Sequence, residues 1–165
     1  FSTVEELRLP PGSDVPNNPK LPVILMRDAL PEDASAMEIC ALFEANGWTG
    51  TWVWSIFDFH HFHPDAHEVL GVARGWAEVM LGGRAGRTVR LERGDVVVLP
   101  AGIGHCRVDS SPDFAVCGAY PPGQSNFETS RTGQPQDAER IASVPVPPTD
   151  PVVGGKGPLI AAWTV

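Results

Sequence analysis

Two short runs of the chain hold the residues whose types and spacing can do chemistry. In the first, His60 to Gly75 (HHFHPDAHEVLGVARG), His61 and His63 stand two apart, Glu68 follows after four intervening residues, and Gly75 after six more. Residues two apart on a β-strand point to the same face, so His61 and His63 would present both imidazoles on one side of a sheet, as a metal-ligand pair. Pro64 cannot continue a hydrogen-bonded strand, so the chain is expected to turn there and bring Glu68 alongside on the next strand. The second run, Gly94 to His105 (GDVVVLPAGIGH), offers a third imidazole at His105, with Gly94, Pro100 and Gly102 ahead of it at gaps of five, one and two.

The spacing of these runs resembles the cupin superfamily. Its first motif, G-x5-H-x-H-x(3,4)-E-x6-G, is met at His61, His63, Glu68 and Gly75, with Ser55 where the leading Gly stands. Its second, G-x5-P-x-G-x2-H-x3-N, is met at Gly94, Pro100, Gly102 and His105, with Asp109 in place of the final Asn. The resemblance implies a mainly β fold, a single double-stranded β-helix or jelly-roll barrel, in which His61, His63, Glu68 and His105 hold one divalent transition metal. Three imidazoles and a carboxylate suit Fe, Mn, Ni, Zn, Co or Cu better than calcium or magnesium. An octahedral ion held by four protein ligands keeps two positions open, as catalysis requires.

The resemblance further implies a metal-dependent enzyme acting on a small molecule, of oxygenase, oxidase or isomerase type. The alternative is a non-catalytic cupin that binds a small ligand with the metal as anchor, or with buried histidines and no metal. For substrate contacts, Arg107 shares a face with His105 and either lies at the surface or grips an anionic group. Phe57 and Phe59 fall on the His61 face and either pack in the core or line the ligand cavity. His60 and His67 alternate away from His61 and Glu68, and Cys106 alternates away from His105, so these three are expected to point elsewhere.

The elements that must position these residues follow from punctuation and period. Fourteen of 17 prolines fall in residues 1–31 and 121–165, leaving three in the 89 residues between, where the regular structure should lie. We therefore expect an N-terminal arm over 1–30 with an edge strand at Leu21 to Met26, able to pair across a homodimer. A helix follows over 31–47, then the barrel over 48–120. A Pro/Gly-rich segment over 121–165 should pack back onto the barrel, the whole forming one domain. Ala36, Ile39, Cys40 and Phe43 repeat at helical spacing, Pro31 suits a first helical position, and Asn46-Gly47 ends the run. Trp52 to Phe62 reads as one long strand, and shorter strands are expected at Glu68–Arg74, Trp76–Leu81, Thr88–Leu91, Val96–Leu99, Cys106–Asp109 and Phe114–Ala119.

Composition sets the remaining bounds. With 12 Lys plus Arg against 20 Asp plus Glu, a net charge of -8 argues against nucleic acid or an anionic membrane as partner. No apolar run approaches the roughly 20 residues of a membrane span. Three cysteines with no C-x-x-C suggest neither a disulfide framework nor a zinc knuckle, which fits a reducing, cytoplasmic setting.

Overall fold

Alternation of apolar residues along the strands decides how the layers form. The computed structural model describes residues 3–164, and among these it contains nine strands and three short helices. In chain order they are β1 (Thr3–Leu7), β2 (Val23–Arg27), α1 (Ala36–Ala45), β3 (Thr49–Trp54), β4 (Glu68–Arg74) and β5 (Trp76–Leu81). They continue with β6 (Arg87–Glu92), β7 (Val96–Leu99), β8 (His105–Ser110), β9 (Ala115–Tyr120), α2 (Asp137–Ala142) and α3 (Pro158–Ala162). A six-stranded sheet runs β1-β2-β7-β4-β9-β3 and a three-stranded sheet runs β6-β5-β8, with all of these neighbours antiparallel. This is a mainly β, jelly-roll type of architecture.

The larger sheet is covered on both faces, so its central strands read as continuous apolar runs. One side chain in two goes inward between the sheets: Leu25 on β2, Leu70 and Val72 on β4, Val97 and Leu99 on β7, meeting Val79 and Leu81 of β5. The alternate set, Ile24, Met26, Val69, Val96 and Val98, faces outward and is sealed by Ile39, Cys40 and Phe43 of α1 and by Leu159 and Trp163 at the C-terminal end. Glu68 shares the inward face with Leu70 and Val72, and this parity aims a carboxylate into the barrel.

The structure departs from the sequence expectation at the sheet edge, at the start of the helix and in the strand that leads to His61. The strand around Leu21 to Met26 is no edge, because β1, expected as irregular arm, pairs along its whole length from Thr3↔Arg27 to Leu7↔Val23. The open edges of the larger sheet are β1 and β3 instead. The helix begins at Ala36 rather than Pro31. Ser35 caps it, its hydroxyl accepting from the Glu38 amide at 3.1 Å while Glu38 accepts from the Ser35 amide at 3.0 Å. Upstream, Asp33 adopts φ 60, which no helix can contain.

The long strand from Trp52 to Phe62 ends at Trp54. Residues 55–60 leave the sheet, and His61 returns only as an isolated bridge to His105, with Phe62 bridged to Ser130. The break resets the alternation, so Trp52 and Trp54, which an unbroken strand from Trp52 to Phe62 would turn away from His61, line the same cavity as His61. The tail packs on the barrel and carries α2 and α3, with Leu159 and Trp163 buried. No helix among the described residues is long and apolar enough to cross a membrane.

Candidate metal centre

The site is assembled by two backbone devices. His61 and His105 exchange amide hydrogen bonds, His61 N–H to His105 C=O at 3.2 Å and His105 N–H to His61 C=O at 2.9 Å, which sets the two imidazoles 4.0 Å apart, centroid to centroid. The turn before His105 is held by Gly102 at φ 90, whose amide donates to the His63 carbonyl at 2.9 Å. Ligand atoms of His61, His63 and His105 all lie within 4.8 Å of one another, and all three residues are buried. Glu68 Oε1 lies 3.6 Å from His63 Nε2 and 3.5 Å from His105 Nε2.

Each imidazole is oriented from behind. Nδ1 of His61 meets the Phe59 carbonyl at 2.9 Å, Nδ1 of His63 meets the Glu128 carbonyl at 2.8 Å, and Nδ1 of His105 meets the Ile103 carbonyl at 3.0 Å. A carbonyl only accepts, so all three Nδ1 atoms carry the proton, and in the neutral ring the Nε2 lone pair is the one left to bind. Three such lone pairs and a carboxylate oxygen converging in a buried space fit a divalent transition metal, and the carbonyls behind them are the outer shell that a metal-binding histidine uses.

The carboxylate is fixed from its other side. Tyr120 donates to Glu68 Oε2 at 2.7 Å and accepts from Trp52 Nε1 at 2.7 Å. Burial raises the carboxyl, but the facing His63 and His105 outweigh it and hold Glu68 well below the usual carboxylate range. Burial and the charge of His105 push His61 down to about 3. His63 moves the other way: burial lowers it, yet Glu68 prevails and raises it above its ordinary value. Burial and the Glu68 charge together raise Tyr120, which stays a donor.

Over 156 residues the chain is 36% identical to the uncharacterized protein YjlB of Bacillus subtilis (strain 168), an alignment covering 93% of each. The family model described as Cupin matches residues 59–134, which hold all three histidines. This chain belongs to the cupin family. Among solved structures, this cupin is similar to a protein with a double-stranded beta-helix domain from Klebsiella pneumoniae, at 20% identity over 78% of this chain and 81% of that one, TM-score 0.39. It is also similar to acireductone dioxygenase from Bacillus anthracis, at 19% identity over 73% and 78%, TM-score 0.39.

The remaining residues singled out in the sequence divide into those at the site of this cupin and those away from it. Phe57 lines a cavity of about 330 Å³ that opens onto His61, His63, Glu68 and His105. Phe59 does not line it; it stacks on Phe57 at 4.7 Å, and the Arg131 guanidinium lies 3.6 Å over its ring. Arg107 does not line it either. Its Nε donates to the Ile56 carbonyl at 2.9 Å, so the guanidinium staples the loop after β3 instead of reaching a ligand. His67 is buried and points away: Nδ1 accepts from the Ala101 amide at 2.8 Å and the ring lies 4.8 Å from that of Trp163. His60 and Cys106 line a separate surface cleft.

Sequence reasoning missed Tyr120, Trp52, Phe127 and Thr129, all of which line the cavity. Tyr120 was within reach, since it continues the period of Val116 and Gly118 by one residue beyond the expected strand end. Phe127 and Thr129 were not, because they sit in an irregular tail segment that carries no periodic signal.

Proposed function

We propose that this cupin is a metal-dependent enzyme acting on a small molecule, with His61, His63, Glu68 and His105 as the ligands of one divalent transition ion. The observation that carries the reading is the set of three Nδ1–H to carbonyl hydrogen bonds, which leaves three Nε2 lone pairs facing one point beside Glu68. When bound, the ion would supply Lewis-acid or redox chemistry at positions open to the cavity, of oxygenase, oxidase or isomerase type. The chain's own part is to hold the carboxylate through Tyr120, to keep His61 unprotonated at neutral pH, and to wall the cavity with apolar side chains that exclude water.

The test is elemental analysis of protein purified without a nickel column, beside a His61→Ala/His105→Ala double variant. About one equivalent of a transition metal is expected in the parent and none in the variant; equal metal in both would overturn the assignment. The element recovered then selects the first substrates to assay, iron pointing to oxygen chemistry.

A further inference from the structure

The walls of the cavity say what kind of molecule it accepts. They contain two groups of aromatic rings. Trp54 and Phe57, from the end of β3 and the loop after it, meet edge to face at 5.2 Å. Tyr120 and Phe127, from β9 and the tail, lie 4.4 Å apart, and Phe127 also contacts the His63 ring at 4.5 Å. Trp54 is 56% exposed and Phe57 39% exposed, an unfavourable state for two large rings side by side unless something covers them.

Charge is confined to the histidine end. Among the lining residues Glu68 is the one fixed charge, and there is no Lys or Arg. Arg107, with its Nε on the Ile56 carbonyl, and Arg131, over the face of Phe59, do not line the cavity. The Tyr120 hydroxyl gives its one proton to Glu68 and accepts from Trp52, so it has no proton to donate to a ligand. A phosphate, or a carboxylate distant from the histidines, would be desolvated in this cavity with no cation to meet it.

Resting on the metal reading above, we infer that the cavity takes a flat, apolar, ring-bearing molecule, a phenol or a comparable arene, whose polar atoms are confined to the end that meets the histidines. Sugar phosphates and dicarboxylic acids are excluded by the same walls. The rings of Trp54 and Phe57 close over the bound arene, offset or edge-on, as aromatic pairs prefer.

Isothermal titration calorimetry with 2-naphthol, 2-naphthoate and glucose 6-phosphate, on metal-free and on cobalt-loaded protein, tests this. Metal-free protein should bind 2-naphthol at least about tenfold tighter than 2-naphthoate at pH 8.5, since the anion then meets the Glu68 carboxylate with no metal ion to offset it. Loaded protein should bind both arenes and should not bind glucose 6-phosphate measurably. A Trp54→Ala/Phe57→Ala variant, whose fold is checked by circular dichroism, should bind 2-naphthol about tenfold or more weakly, the loss expected for two ring contacts. The inference is overturned if metal-free protein binds neither arene, if it binds naphthoate as tightly as naphthol, if the sugar phosphate binds, or if the double variant keeps full affinity. Failure to load cobalt would overturn the metal reading alone, because the metal-free arm reads the walls without it.

Discussion

Tyr120 carries more of the site than its single hydroxyl suggests. Among the described residues it is the one hydrogen-bond donor to Glu68 Oε2, and through Trp52 Nε1 it is itself held in place, so the carboxylate has one oxygen engaged and the other turned to the histidines. Tyr120→Phe removes both bonds with almost no change of volume. Support of this kind behind a metal ligand is typically worth about 10- to 100-fold in affinity, so chelator competition should show metal affinity weakened by that order, with the circular dichroism spectrum unchanged. An unaltered affinity would show that Glu68 needs no such support. At this scale the gathering of His61, His63, Glu68 and His105 was legible in the sequence through the spacing of the two motifs. Tyr120 and the Glu128 carbonyl behind His63 were not, because a hydrogen-bond partner 52 or 65 positions distant leaves no local pattern.

The strand pair β3–β9 shows how an element serves that residue. Trp52 is paired with Gly118, and its indole lies so close that a Cβ built on Gly118 would come within 2.2 Å of the ring. The absence of a side chain at Gly118 is what lets the indole lie flat and reach Tyr120. Gly118→Ala should therefore destabilise the protein by about 1–3 kcal/mol in urea unfolding, the usual cost of overpacking, and should weaken metal binding in the same direction as Tyr120→Phe. In a Trp52→Phe background the penalty should shrink, since neighbours in contact are not additive; an undiminished penalty would point to backbone strain instead. Most strands were legible: β4, β5 and β7 have the bounds that alternation and glycine punctuation implied. The β1 strand was hidden because its residues, TVEEL, are mostly exposed and gain their order from pairing with β2 rather than from burial. The start of α1 was misplaced because Pro31 can begin a helix, whereas the Ser35–Glu38 capping box does begin this one.

Across the whole molecule, burial of neutral imidazoles couples stability to pH. His67 is pushed by burial down to about 4, against some opposition from the Val144 and Pro145 backbone, and His61 to about 3, both from an ordinary 6.5. Folded protein keeps these rings neutral while the unfolded chain takes up protons below about 6.5, so stability is full above that pH and falls as pH drops toward 4. His63 works in the opposite sense, its raised value contributing stability at low pH that is lost as pH rises through it. For the metal-free protein, urea midpoints should fall between pH 7 and pH 4, with His67 alone responsible for roughly 3 kcal/mol at about 1.4 kcal/mol per unit. A His67→Gln variant should lose part of that slope, and a flat profile in the parent would show that His63 offsets both. What the sequence determined by itself is what depends on short-range geometry: strand parity, glycine and proline punctuation, and the spacing that puts His61, His63, Glu68 and His105 on one inward surface. Tertiary structure alone decided the tautomers, the Trp52–Tyr120–Glu68 chain, the withdrawal of Arg107 and the aromatic walls. The Trp52–Tyr120–Glu68 chain, the Arg107–Ile56 bond and the His63–Glu128 bond join segments 51 to 68 positions apart and exist only once the sheets have closed, while the bonds behind His61 and His105 span two residues and depend on the local backbone path the fold imposes.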